Sequence, residues 1–154
     1  MPKKNPLVFN VFLDPSFRNG QNNGEYFVDL PFLDNNQLVD IAKFIKKVES
    51  GEALAGKNKE SWLLDDLSEA KDSALYKDLC YWHYHVGPYS SQQSITSMTH
   101  GLGRNLNGLT SAAVIHYQKK IETKEVVIVG FSPKHIPFPS SDAGNNPLFE
   151  DEDD

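Results

Sequence analysis

"LCYWHYHVGPY", Leu79 to Tyr89, places two of the chain's five histidines one residue apart in an aromatic run that stops at a Gly-Pro turn. Aromatic and alternating residues bounded by turn formers read as a strand. Side chains on a strand alternate, so Tyr81, His83 and His85 share one face while Cys80, Trp82, Tyr84 and Val86 share the other, where Cys80 is expected to be buried and inert. Two runs of the same kind follow, "SAAVIHYQK" (111–119) and "EVVIVGFS" (125–132). The "KIETKE" between them is short enough for an antiparallel hairpin. These three strands make a sheet the centre of the fold.

Toward the N-terminus, "NPLVFNVFLDP" (5–15) reads as another strand, with Leu7, Phe9 and Val11 on one side and Val8 and Phe12 on the other. "RNGQNNG" (18–24) is turn chemistry, and "EYFVDL" (25–30) is a short strand or a packed loop. A helix begins at Asp34, which caps it with Gln37 in the capping-box position. Leu38, Ile41, Ala42, Ile45 and Val48 form its apolar stripe, Lys43, Lys46, Lys47 and Glu49 its polar face, and Gly51 ends it. "GKNKESWLLDDLSEA" (56–70) reads as a loop and then a short helix burying Trp62, Leu63 and Leu67. The long segment "GPYSSQQSITSMTHGLGRNLNGLT" (87–110) lacks periodicity, and loops of that length in compact domains serve function or motion.

Charge divides the chain. Six of its 21 acidic residues are Asp142, Glu150, Asp151, Glu152, Asp153 and Asp154, which leaves 15 acids against 15 bases in the first 140 residues. A neutral single α+β domain, 1–140, is expected, followed by an acidic, disordered tail, 141–154. With one cysteine, no signal-peptide pattern after "MPKK" and no apolar stretch of membrane-spanning length, the sequence reads as cytoplasmic, with no membrane partner.

The chemistry lies with the histidines. Across the sheet their neighbours are expected from His116, Tyr117, Lys119 and Lys120, and from Lys134 and His135 after the last strand. No phosphate-binding loop, nucleophile elbow or cysteine pair is present. A metal needs a carboxylate or further histidine close to the H-x-H pair, and no acidic residue follows His85 until Glu122, so neither metal nor cofactor is expected. His, Lys, Arg and Tyr around a small sheet suit RNA cleavage: imidazoles move protons, cations stabilise the phosphorane, and aromatic rings such as Tyr81, Tyr89 or Tyr117 stack unpaired bases.

The pieces "WHYH", "GLGRNLNGLTSAAVIHYQ" and "EVVIVGFSPKHIPFP", spread over residues 79 to 139, resemble the YafO-type toxins of bacterial toxin–antitoxin systems, within the wider RelE-like group. The resemblance implies a RelE-like fold, with an N-terminal strand and helix packed on a small antiparallel sheet. It also implies a ribosome-dependent mRNA endonuclease neutralised by a cognate antitoxin. His83, His85, Arg104 and His135 are its implied catalytic residues, with Tyr81, Tyr117, Lys119 and Lys134 as the expected RNA contacts. The competing class is a binding module without catalysis, an antitoxin or immunity protein whose acidic tail engages a basic partner. A small metal-dependent enzyme using the H-x-H strand comes third.

Overall fold

The computed structural model describes residues 8–24, 27–134 and Leu148. The chain is α+β, built on one five-stranded sheet in the order β1-β5-β4-β3-β2. Strands β1 (Asn10–Leu13), β2 (Asn58–Glu60), β3 (Tyr81–His85), β4 (Val114–Lys120) and β5 (Glu125–Ser132) are accompanied by helices α1 (Pro15–Asn19), α2 (Asn35–Ser50) and α3 (Ala74–Asp78). Pairings β2–β3, β3–β4 and β4–β5 are antiparallel. The expected all-antiparallel sheet is corrected at one edge, because β1 runs parallel to β5. Parallel neighbours need a long crossover, and here everything between Leu13 and Glu125 supplies it.

Helix α2 has the local signals to form by itself. Asp34 Oδ1 accepts from the Gln37 amide at 2.8 Å while Gln37 Oε1 accepts from the Asp34 amide at 2.9 Å, and Gly51 closes the C-terminus at φ 74°. Its buried stripe is Ile41, Phe44 and Val48, with Leu38 and Ala42 left outside; Phe44 packs against Tyr84 and Tyr117 at ring separations of 5.1 and 5.9 Å. Burying such a side chain contributes about 1.5–3 kcal/mol. From the last two turns, Glu49 Oε2 accepts from the outward-facing Val11 amide of β1 at 3.1 Å.

Two stretches differ from their sequence reading. "GKNKESWLLDDLSEA" contains β2 and a series of turns, with Leu67 exposed, rather than a helix; Asn58, Lys59 and Glu60 are buried by pairing with β3. Cys80 is exposed at φ 55°, because the chain turns into β3 one residue later than the alternation implies. The long 87–110 segment is tied down by bridges of Thr99 to Leu54, Leu109 to Gly56 and Asn105 to Asn58. Gly56 is fixed by that packing: a Cβ there would lie 1.9 Å from the His85 carbonyl oxygen and 2.6 Å from the Tyr89 hydroxyl.

The sheet has two covered faces. Trp82, Tyr84, Ile115 and Tyr117 point to the main core beneath α2, whereas Tyr81 joins Tyr76 of α3 and Val129 in a smaller cluster on the reverse. Leu148 packs against that smaller cluster; the rest of 141–154 lies outside the described residues. Among the described residues no helix is long and apolar enough to cross a membrane.

Candidate functional site

Register brings three histidines together on the reverse face. His83 pairs with His116 across β3 and β4, and His85 follows two residues along, so the rings stand 6.5 Å (His83 to His116) and 5.9 Å (His83 to His85) apart. On the other side of β3, Lys59 lies opposite His83, and the Lys57 carbonyl accepts from the His85 amide at 2.9 Å. Lys57, Lys59 and Ser61 therefore line up beside the histidines.

Each histidine has a ring nitrogen held in place. His83 Nδ1 is 3.0 Å from Ser61 Oγ, and His116 Nε2 is 2.7 Å from Ser132 Oγ. His85 Nδ1 meets the Ser111 main chain, which offers both its carbonyl oxygen and its N–H at 3.1 Å. One atom does not donate and accept at once: the N–H binds the tautomer protonated at Nε2, and the carbonyl binds the one protonated at Nδ1. Either tautomer of His85 thus finds a partner.

These rings are buried, although alternation places them on the face away from the main core. His83, His85 and His116 are 5%, 3% and 1% exposed. Phe27 lies edge-on to His116 at 5.2 Å, and Gly130 beneath makes room, since a Cβ there would come within 3.2 Å of the Phe27 ring. His85 reaches the boundary, where with Lys57, Ser90, Gln93, Thr110 and Ser111 it lines a cleft of about 490 Å³. Lys57 and Lys59 both bind Asp65, at 3.0 and 2.9 Å, and hold its carboxyl well below the usual range.

The other expected site residues are not gathered here. Arg104 is on the opposite face: its Nε donates to Glu60 Oε1 at 2.9 Å and its Nη2 to Oε2. Burial works to raise the Glu60 carboxyl, but the Arg104 hydrogen bond and charge outweigh it and hold it low. A guanidinium on one face does not reach a phosphate held by imidazoles on the other. Lys119 also belongs to the Arg104 side: it lies 4.2 Å from the Trp82 ring centre and donates to the Leu102 carbonyl at 2.7 Å, and burial lowers its ammonium pKa.

Two of the expected stacking rings, Tyr117 and Tyr81, are not available. Tyr117 is fully enclosed, its hydroxyl donating to Asn58 Oδ1 at 2.6 Å, and burial raises its pKa well above the usual phenol value. Tyr81 packs on Tyr76, and burial pushes its hydroxyl up to about 12. Neither ring has a face open to a base. Lys134 is exposed, and His135 lies outside the described residues. Lys57, Lys59, Ser61 and Ser111 escaped the sequence reading, although the period-two spacing of Lys57, Lys59 and Ser61 in "KNKES" was a signal for a strand.

Among the described residues no three His, Cys, Asp or Glu side chains are grouped to hold a metal ion. What the arrangement offers instead is oriented imidazoles with ammonium groups beside them. No family model, curated protein or solved structure matches the chain.

Proposed function

We propose that this chain is an endoribonuclease toxin, RelE-like in fold and cytoplasmic, that cleaves mRNA on the ribosome and is neutralised by a cognate antitoxin. The observation that supports it is His85 at the wall of a cleft, with Lys57 beside it and His83 and His116 behind it. An imidazole takes the 2′-hydroxyl proton as the 2′-oxygen bonds to phosphorus; the bond to the 5′-oxygen breaks, and a second proton goes to that leaving oxygen. The product is a 2′,3′-cyclic phosphate. Lys57 and Lys59, not Arg104, are the cations on the right face to stabilise the phosphorane.

Expression alone should arrest growth, and mRNA on ribosomes incubated with the purified protein should be left with 2′,3′-cyclic phosphate ends. His83→Gln or His85→Gln should each lower cleavage by about 10² or more. Because both histidines are buried, the melting temperature must be followed beside the rate. Normal growth with abundant folded protein and no cleavage would overturn the reading. A second reading, a binding module without catalysis, is favoured by the burial of the three rings and by the commitment of Arg104 to Glu60. It expects that same folded, non-toxic outcome.

A further inference from the structure

Between Lys43, Phe44 and Lys47 of α2 and Tyr84 of β3, with Pro88 and Tyr89 just past the end of that strand, is a second cavity, of about 240 Å³. It sits on the other side of Pro88 from the His85 cleft, so Pro88 belongs to the wall of both. Its floor is rigid. Tyr89 Oη donates to the His85 carbonyl at 2.5 Å, and the Gly56 amide donates to Tyr84 Oη at 2.9 Å. The two hydroxyls are 3.2 Å apart, and since Tyr89 has spent its proton on His85, Tyr84 donates to Tyr89. Both donors are committed, leaving a floor of ring edges and faces.

The rim is cationic. Lys43 and Lys47 are four residues apart and so project from one side of the helix; both are exposed, and among the described residues neither forms an ion pair. Asp40 shares the rim, which sets two ammonium groups against one carboxylate. A flat ring below and a single anionic group above is the chemistry such a cavity accepts. Its volume is under the roughly 300–1,000 Å³ of sites that enclose a whole drug-sized ligand.

We propose that this cavity holds one unpaired nucleotide of a single-stranded RNA, the base against Tyr89 and Pro88 and the phosphate at Lys43 and Lys47. Stacking of splayed bases on aromatic rings with backbone contacts to cations is the usual mode for single strands. The choice of RNA rests on the ribonuclease reading; the cavity is the strand's next subsite beyond His85.

The test is an amide chemical-shift titration of the full chain with adenosine 5′-monophosphate, beside adenosine and inorganic phosphate separately. The nucleotide should shift the amides of Ala55, Val86 and Tyr89, and each fragment alone should bind about tenfold more weakly. Lys43→Glu with Lys47→Glu should weaken nucleotide binding by about tenfold or more. Lys46→Glu, on the same helix but outside the cavity, should change it by less than about twofold. Phosphate binding as tightly as the nucleotide, or Lys46→Glu costing as much as the pair, would overturn the site. Nucleotide binding without RNA cleavage would overturn the ribonuclease reading and leave the site standing; cleavage with no shift at these amides would do the reverse.

Discussion

Asp29 is a fully buried carboxyl whose Oδ2 accepts from the Asn22 amide at 2.5 Å and whose Oδ1 has no hydrogen-bond partner among the described residues. Burial raises its pKa from 3.8 to about 6, against the lowering effect of the Asn22 and Asn23 contacts. The folded state therefore holds this proton at pH values where the unfolded chain has released it. Stability from this group is full below about pH 4 and is lost as the pH rises through about 6, a swing of about 3 kcal/mol. Asp29→Asn should flatten the pH dependence of unfolding between pH 4 and 7; an unchanged profile by urea denaturation would remove Asp29 as its cause. At Tyr117, loss of the hydroxyl in Tyr117→Phe strands the buried Asn58 Oδ1, and urea titration should register a loss of about 1–3 kcal/mol.

For α2, removing the cap in Asp34→Ala should cost about 1 kcal/mol, read as a lower midpoint in denaturant. Gly56→Ala should cost more, toward the upper end of about 1–3 kcal/mol, because the obstructing atom is the His85 carbonyl of an adjoining strand and not a side chain able to swing away. The contrast explains what the sequence made legible. The capping box of α2, its Gly51 stop and the alternation in β5 are local, set by residues within a turn or two. Strand β2 has only the short period-two spacing of Lys57, Lys59 and Ser61 to mark it, and its three residues become a strand because β3 pairs with them. The direction of β1 is likewise invisible in its own residues. The histidine face followed from alternation alone, whereas the burial of that face and the loss of Arg104 to Glu60, 44 residues away, depend on contacts no local pattern encodes.

The whole molecule carries its negative charge unevenly, with five acids between Glu150 and Asp154 and a balanced first 140 residues. If RNA is the ligand, deleting 149–154 should raise affinity for a single-stranded oligonucleotide in dilute salt. The gain should disappear near 1 M salt, where the screening length is about 3 Å. Equal affinities in dilute salt, measured by fluorescence anisotropy, would show that the acidic run does not repel the strand.

The Glu49 carboxylate on the Val11 amide has a consequence for how copies of this protein meet. An uncovered outer strand invites another chain to pair with it, and growth by that route ends in fibres. Here one rim of the sheet has an outward amide already taken by a charged group, and the other, β2, is three residues long and backed by the 87–110 segment. A newcomer meets a negative charge on one side and almost no length on the other. Glu49→Leu should accordingly promote self-association on concentration, visible by light scattering, while the native chain stays monodisperse under the same conditions.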